Sequence, residues 1–196
     1  MSRGAPDRSR TDSPLPAATR YLVCDPCKCT GCRTCMMACS MVHEGRANPV
    51  TARILLTEDP FGVYPSDIDL CVCRQCRDAS CLAACPTGAL TIDPGHFNVR
   101  MVDSDLCNGC RKCVGACHFA PSRMRFDLRR KKSTKCDLCR DTPFWSHEKG
   151  EFVCVQVCPV HALESTGTPP LGALGYEVNL RGEGWARLGF SSGEET

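Results

Sequence analysis

The sequence has no long apolar run, and this absence limits where we expect the protein to work. The first 20 residues hold scattered arginines, prolines and hydroxyl side chains, without the apolar segment that a secretory signal requires. No other stretch approaches the roughly 20 apolar residues of a membrane helix. The paired arginines at 129–130 lie among other basic residues and do not precede an apolar run. We therefore expect a cytoplasmic protein without direct membrane insertion.

The patterns of common catalytic sites are lacking as well. The sequence contains no recognisable nucleophile–base pair, no glycine-rich phosphate loop and no dinucleotide fingerprint. We therefore expect that this chain is not an enzyme by itself.

Cysteine, in contrast, is abundant, with 19 among 196 residues. Such a content indicates either a disulfide scaffold in an oxidising compartment or a metal protein in a reducing one. Because no secretory signal is apparent, we interpret the cysteines as metal ligands. The formal net charge of +2 counts every cysteine as neutral. Four [4Fe–4S] cores with their thiolates would bring it to about −6, so the basic residues offset buried negative charge and no nucleic-acid partner is expected.

Sixteen of the cysteines fall into four runs. The first run reads C-x2-C-x2-C-x3-C, a spacing in which three thiolates bind one iron–sulfur cube and the fourth binds another, whereas zinc sites use separated pairs. The third run repeats this spacing, the second widens its middle spacer, and the fourth delays its third cysteine by 14 residues. The runs are Cys29, Cys32, Cys35, Cys39; Cys73, Cys76, Cys81, Cys85; Cys107, Cys110, Cys113, Cys117; and Cys136, Cys139, Cys154, Cys158.

An internal repeat indicates how the runs combine. The segments that begin at Cys85 and at Cys158 share the pattern Cys-Pro-x-x-Ala-Leu. We therefore pair the second run with the third, and the first with the fourth. Exchange of the last cysteine within each pair predicts four ligand sets. They are Cys29, Cys32, Cys35 and Cys158; Cys136, Cys139, Cys154 and Cys39; Cys73, Cys76, Cys81 and Cys117; and Cys107, Cys110, Cys113 and Cys85.

The predicted fold class is α+β, with two bacterial-type ferredoxin units that each hold two [4Fe–4S] clusters, joined by short hairpins and long loops. The central unit covers 73–117, and the outer unit combines 20–72 with 118–164. Residues 1–19 have the composition of a disordered segment, and the glycine-rich tail 165–196 is predicted to dock on a partner.

Within these units, a few short elements can be predicted. Strands are expected at 21–24, 53–57 and 67–72, and a hairpin at 87–102. Residues 118–135 are interpreted as a basic connector. Residues 140–153 are expected to form a surface loop, in which Phe144 and Trp145 are either partner anchors or a cover for the neighbouring cluster.

Several alternatives remain open at this point. The stretched fourth run gives the loosest quartet, so a carrier with three clusters is one alternative, and zinc or a mixed metal content is another. Cys24 and Cys71 are expected as small buried residues on strands. Cys27 could replace Cys29 as a ligand. His118 is either a surface residue or a donor to a cluster sulfide.

Four motifs carry a resemblance to a known family, and they span about residues 20–165 in family order. The sequence resembles the four-cluster ferredoxin-like electron-transfer subunits of multi-subunit oxidoreductases, a group that includes the beta subunits of dimethyl sulfoxide reductase-type molybdoenzymes. It departs from them at Ser40 and His118, where proline is frequent. The motifs are Cys29-Thr30-Gly31-Cys32-Arg33-Thr34-Cys35, Cys73-Arg74-Gln75-Cys76, Cys85-Pro86-Thr87-Gly88-Ala89-Leu90 and Lys135-Cys136-Asp137-Leu138-Cys139.

Within this group, the compact length is most similar to the small iron–sulfur subunits of tungsten aldehyde oxidoreductase and benzoyl-CoA reductase complexes. The resemblance implies a non-catalytic subunit with four [4Fe–4S] clusters. Its implied partners are a large catalytic subunit with a tungsten or molybdenum pterin and a further electron-transfer or flavin subunit. The alternative functions are an iron–sulfur enzyme whose substrate binds a cluster with only three cysteines, and a three-cluster electron carrier.

Overall fold

The computed structural model describes residues 15–64, 67–142 and 152–169 of the chain. Short helices and strands alternate along it, in agreement with the predicted α+β class. The strands are β1 (Tyr21–Cys24), β2 (Leu55–Glu58), β3 (Ile68–Cys71), β4 (Leu90–Asp93), β5 (Val99–Val102), β6 (Arg125–Asp127), β7 (Lys132–Thr134) and β8 (Leu163–Thr166). The helices are α1 (Thr34–Glu44), α2 (Ser80–Ala83), α3 (Lys112–Gly115) and α4 (Val153–Gln156), with a 3-10 turn at Pro49–Thr51. None of these described helices is long and apolar enough to span a membrane.

The strands form four separate antiparallel pairs. Three of the pairs are hairpins of successive strands: β2–β3, β4–β5 and β6–β7. The fourth pair joins β1 to β8, with Tyr21 opposite Thr166 and Cys24 opposite Leu163. Because the first cysteine run follows β1 and the fourth run precedes β8, this pairing brings the two runs into one region.

Most of the predicted strands are present. β1 has the predicted bounds, β2 and β3 correspond to the strands expected at 53–57 and 67–72, and β4–β5 is the hairpin expected at 87–102. The β6–β7 hairpin was not predicted, because a cluster of basic residues at its turn made this segment read as a connector.

Two apolar clusters stabilise the described part of the chain. The larger one joins residues 22–72 and 136–163 with Val99, and it includes the almost fully buried side chains of Ile54, Leu138 and Phe152. The smaller one is formed by Ala79, Leu82, Leu90, Cys113 and Met124. The larger cluster therefore connects the two segments that were predicted to form the outer unit, while the division into two units stays a prediction.

The disorder predicted for the first 19 residues does not extend to residues 15–19. Arg100 Nη2 donates to the Pro16 carbonyl at 2.7 Å, and Asn98 Nδ2 donates to the Ala17 carbonyl at 2.9 Å. Ala18 is buried beneath Tyr21, whose hydroxyl donates to the Ala18 carbonyl at 2.6 Å. These backbone groups have side-chain partners that composition alone does not reveal. Residues 1–14 lie outside the described residues.

The structure also differs from the surface loop predicted at 140–153, at the C-terminal end of that segment. Phe152 and Val153 are buried in the larger apolar cluster, because they lead directly into α4 and Cys154. Residues 143–151, with Phe144 and Trp145, lie outside the described residues, as does the tail from 170 to 196. Ser165 and Thr166, which the predicted boundary placed in the tail, belong to β8.

Candidate metal centre

The first and third cysteine runs share one backbone turn. Gly31 and Gly109, each the second residue after the first cysteine of its run, have φ angles of +69° and +74°. Arg33 and Arg111, which follow the second cysteine, are also left-handed, at +60° and +59°. Each run then enters a helix, α1 or α3, at the next residue. The repeated spacing in the sequence is thus matched by a repeated local structure.

Helix α1 delivers cysteines to two different places. It runs for 11 residues and ends at Gly45, whose N–H donates to the Met41 carbonyl at 2.9 Å. Cys35 and Cys39 are buried one turn apart on it. Cys35 lines a cavity together with the cysteines of its own run, whereas Cys39 lies near cysteines of the fourth run.

We call the first cavity the Cys29 site. Its walls include Leu56, Leu70 and Leu163 from β2, β3 and β8. Ala162 N–H donates to the sulfur of the last cysteine of the set at 3.2 Å. The cysteines that line this cavity include the four of one predicted set: Cys29, Cys32, Cys35 and Cys158.

Three arginines, together with four cysteines, line the cavity of the Cys73 site: Arg74, Arg100 and Arg123. Their Nε atoms are buried and have no hydrogen-bond partner among the described residues. Burial lowers the pKa of Arg74 to about 10, with a further contribution from Arg123. Buried N–H donors without partners are costly, and these belong to charged guanidinium groups, so this cavity fits an anionic group. Its cysteines are Cys73, Cys76, Cys81 and Cys117.

The Cys107 site is a cavity that the β6–β7 hairpin closes on one side. Ser133 of β7 lines it, and the Ser133 N–H donates to Cys107 Sγ at 3.5 Å. Leu90 and Val102 form the opposite, apolar part of the wall. The cavity contains the cysteines of the third predicted set: Cys85, Cys107, Cys110 and Cys113.

The Cys136 site differs from the others because all four of its cysteines are buried in the larger apolar cluster. The thiols of this set lie close enough to raise one another's pKa by electrostatic repulsion, after the larger effect of burial. Arg53 N–H donates to the sulfur of the first of them at 3.4 Å. The set is Cys39, Cys136, Cys139 and Cys154.

Burial and mutual repulsion oppose charge on most of these thiols. Burial raises the pKa of Cys35, Cys76 and Cys139 to about 12, and that of Cys81 to about 11. Iron binds the thiolate, so ligation has to overcome this cost, and a positively charged iron–sulfur core supplies the opposing charge. The donor sets consist of cysteine only, which fits [4Fe–4S] clusters with one thiolate per iron.

No group of three or more His, Cys, Asp or Glu side chains within 15–64, 67–142 and 152–169 is placed to hold a single metal ion. A cube has a different requirement, because its four irons are spread over the cavity and each takes one thiolate.

Two buried side chains connect the Cys136 and Cys73 sites. Gln75, between two cysteines of the second run, donates from Nε2 to the Cys136 carbonyl at 3.0 Å and accepts the Arg100 N–H at Oε1 at 2.8 Å. Lys135 is only 2% exposed, and its ammonium donates to the carbonyls of Arg100 and Cys136. Sequence reasoning missed both roles, although Lys135 and Gln75 belong to the motifs that it singled out.

The three remaining cysteines lie in different surroundings. Cys24 lines the Cys29 site as a fifth cysteine, and burial, with repulsion from Cys29, raises its pKa. Cys27 is exposed and does not line that cavity. Cys71 is buried on β3, as predicted, and its thiol contacts the Asp69 carboxylate at 3.3 Å. His118 lines the Cys73 site and hydrogen-bonds Ser80.

Comparison with known families places residues 66–167 in one family, whose description is 4Fe-4S dicluster domain. The sequence is 33% identical over 183 residues to the electron transport protein HydN of Escherichia coli K12, a match that covers 83% of this chain and 96% of HydN. It is 36% identical over 151 residues to the protein NrfC of the same strain, covering 74% of this chain and 64% of NrfC.

Among solved structures, a chain of the active site complex BamBC of benzoyl coenzyme A reductase matches with a TM-score of 0.37 at 20% identity. The match covers 75% of this chain and 78% of the other. A likeness this weak supports no inference about fold or function.

Proposed function

Because the chain belongs to the 4Fe-4S dicluster domain family, we propose that it is an electron-transfer protein with four [4Fe–4S] clusters, at the Cys29, Cys136, Cys73 and Cys107 sites. Each cluster, when bound, can accept and return one electron. The ligands would be the four cysteines of each site. The observation that carries the proposal is the cavity of the Cys73 site, where four cysteines from different parts of the chain and three buried arginines line one space, and the Nε atoms of these arginines lack hydrogen-bond partners among the described residues.

The contacts between sites support an order for the relay. Helix α1 joins the Cys29 and Cys136 sites through Cys35 and Cys39. Gln75 joins the Cys136 and Cys73 sites by its hydrogen bond to the Cys136 carbonyl. Helices α2 and α3 pack together and join the Cys73 and Cys107 sites. We therefore propose the order Cys29, Cys136, Cys73, Cys107, with Cys32 and Cys110 as the exposed ligands of the two terminal sites.

The chain's own residues would insulate and hold this relay. The apolar surroundings of the Cys136 site, where all four cysteines are buried, would keep water away from its cluster, which favours a defined potential. Backbone N–H groups of Arg53, Arg123 and Ala162 donate to the sulfurs of the last cysteines of three runs at 3.2–3.4 Å. Such hydrogen bonds stabilise the reduced, more negative state of a cluster.

We propose a large catalytic subunit with a tungsten or molybdenum pterin as one partner, and a further electron-transfer or flavin subunit as the other. The family motifs in the sequence support this assignment, and the names of the relatives agree with electron transport. The tail that follows β8 is proposed to help to hold the catalytic partner, and a cytoplasmic location suits the reduced cysteines.

The test is anaerobic purification from the native host, with metal and sulfide analysis. We expect about 16 iron atoms per chain, and tungsten or molybdenum in a larger copurifying subunit. About 12 iron atoms would contradict the fourth cluster and support a three-cluster carrier. Quartet-by-quartet Cys→Ser variants, examined by EPR after chemical reduction, should each remove one cluster signal. A substrate-dependent change in any cluster signal of the isolated chain would instead support the enzyme alternative.

A further inference from the structure

Basic residues of α3 and of the β6–β7 turn lie beside the Cys107 site and present a largely unpaired positive surface next to an exposed cysteine. Lys112 follows the second cysteine of the run by two residues, and the turn of the β6–β7 hairpin carries Arg129, Arg130 and Lys131. All four are exposed, and so is Cys110. We call Lys112, Arg129, Arg130 and Lys131 the basic rim.

The hairpin is packed directly against the cysteine run, so its charges belong to this site. Lys132 Nζ donates to the Cys107 carbonyl at 2.5 Å, and the guanidinium of Arg111 lies 4.1 Å from the ring centre of Phe126. The Lys131 carbonyl lies so close to Gly109 that a Cβ there would be 2.2 Å away. The turn of the hairpin is therefore held beside Cys110.

Most of the rim's charge is free to act on another molecule. Arg130 pairs with Glu44 and Asp127. Within the described residues, no carboxylate pairs with Lys112, Arg129 or Lys131. Two acids precede the run: Asp103, half-buried, accepts the N–H groups of Asp105 and Leu106, and Asp105 is exposed, but neither forms an ion pair with the rim within the described residues. Leu128, at the same turn, is 73% exposed and adds an apolar contact.

At the Cys29 site, by contrast, the basic residues beside the exposed Cys32 are paired with carboxylates. Beside Cys32, Arg33 pairs with Glu58 at 3.2 Å, and Lys28 pairs with Asp25 at 3.6 Å. In the loop after β2, Phe61 and Val63 are 94% and 78% exposed, and Tyr64 of the same loop donates to the Cys27 carbonyl. The two terminal sites of the proposed relay therefore offer different surfaces to partners.

We propose that the basic rim is the docking surface for a soluble, acidic one-electron carrier protein, which exchanges electrons with this chain at the Cys107 site. The inference rests on the proposed electron-transfer function and adds the partner and its place. In the exchange the carrier gives up one electron and this chain gains one, or the reverse, and no bond forms or breaks. Opposite charges increase the rate of encounter and orient the carrier toward Cys110. Nucleic acid is less suited to this rim, because it would cover the one exposed ligand of the site without accepting electrons.

The experiment uses the purified holoprotein and a reduced, acidic two-cluster ferredoxin as the probe, mixed anaerobically in a stopped-flow instrument. We expect a second-order rate constant that falls steeply as ionic strength rises. The double variant Arg129→Glu, Lys131→Glu should be slower by about tenfold or more at low ionic strength and should converge with the wild type at high salt. The milder Arg129→Gln, Lys131→Gln variant should lie between them.

The matched control is Lys28→Glu, a charge reversal beside the other exposed site, which should change the rate less than about twofold. Iron content and reduction by dithionite, followed by EPR, show whether each variant still holds and reduces its clusters. If dithionite fails to reduce the wild type, the proposed function fails. If dithionite reduces it normally but the glutamate variant reacts with ferredoxin as fast as the wild type, the docking surface is wrong. Equal rates with a basic cytochrome c, or duplex DNA that binds the rim and competes with ferredoxin, would also overturn it.

Discussion

The Cys136 and Cys107 sites each combine four cysteines, but the surroundings of the two sets differ. At the Cys136 site all four cysteines are buried among the residues of the larger apolar cluster, with Phe152 and Leu138 almost inaccessible. At the Cys107 site Cys110 is exposed, and the neighbouring apolar cluster contains only five buried residues. The difference teaches that a set of four cysteines can lie in the centre of a core or at the surface, depending on what packs around it.

The largest expected difference follows from removal of one cysteine at each site. Cys154→Ala removes a proposed ligand from the core, and loss of its cluster would leave buried thiols without the opposing charge of the metal. Cys110→Ala removes a proposed ligand at the surface. We expect both variants to lose iron, with a fall in the anaerobic thermal midpoint about twice as large for Cys154→Ala. Iron analysis and circular dichroism melting measure the two effects, and a larger fall for Cys110→Ala would contradict the comparison.

The next prediction compares the truncation of an apolar side chain in the core with the truncation of one beside the basic rim. Phe152 is 1% exposed beside the Cys136 site, and Leu128 is 73% exposed beside the Cys107 site. Phe152→Ala should lower the free energy of unfolding by about 3–5 kcal/mol through transfer and cavity terms. Leu128→Ala should change it by less than about 0.5 kcal/mol. Denaturant titration of the holoproteins provides the measurement, and a cost below about 1 kcal/mol for Phe152→Ala would show that the core is not where we place it.

Two lysines sharpen the comparison at a smaller scale. Each donates to the carbonyl of the first cysteine in a run, Lys135 to that of Cys136 and Lys132 to that of Cys107. Lys135 is fully buried and also donates to Arg100, whereas Lys132 is half-buried. We expect Lys135→Met to cost about 2–3 kcal/mol, because buried carbonyls lose their donor, and Lys132→Met about 1 kcal/mol. The cost is measured as the change in unfolding free energy, and equal costs would argue against the difference in burial.

The cluster potentials give a second measurement on the same lysines. A buried ammonium near cysteine ligands stabilises a reduced, more negative cluster. Lys135→Met should therefore lower the reduction potential of a cluster at the Cys136 or Cys73 site, as followed by EPR-monitored titration. Lys112→Gln, at the exposed rim, is the control and should shift potentials less, because solvent screens its charge.

The extent to which the sequence predicts this structure depends on the kind of pattern. The β4–β5 hairpin could be predicted because apolar and polar residues alternate on both sides of the Pro94-Gly95 turn. Strand β1 could be predicted because its short apolar run ends at a turn. The cysteines that line each cavity could be anticipated because spacing and the Cys-Pro repeat restrict which runs combine. Their assignment as ligands remains a prediction for the iron analysis above.

Other features are carried by tertiary contacts that no local pattern encodes. The β6–β7 hairpin has three-residue strands and a basic turn, so neither length nor hydrophobicity distinguishes it from a connector. The buried position of Lys135 contradicts the usual preference of lysine for solvent, and only its contacts with Arg100 and Cys136 explain it. The burial of Phe152 could not be predicted either. The long separation between Cys139 and Cys154 implies a loop, but it does not indicate at which residue the loop ends.

The smallest expected effect tests the contact between the hairpin and the Cys107 site. Gly109 and Gly88 both have φ near +70°, but a Cβ on Gly109 would meet the Lys131 carbonyl at 2.2 Å, whereas a Cβ on Gly88 would meet nothing within 4 Å. Gly88→Ala should therefore cost only the left-handed conformation, about 1 kcal/mol. Gly109→Ala should cost about 1 kcal/mol more, because the backbone of the hairpin has to move.

The same two variants also test the basic rim, because Gly109→Ala displaces the basic turn of the hairpin without changing any charge. Gly109→Ala should slow the reaction with acidic ferredoxin and alter the EPR signal of one cluster, while the iron content stays that of the wild type. Gly88→Ala, which leaves the hairpin in place, should react at the wild-type rate. If the two alanine variants react equally fast, the position of the hairpin beside Cys110 does not govern access to the Cys107 site, and the contrast with the enclosed Cys136 site would rest on burial alone.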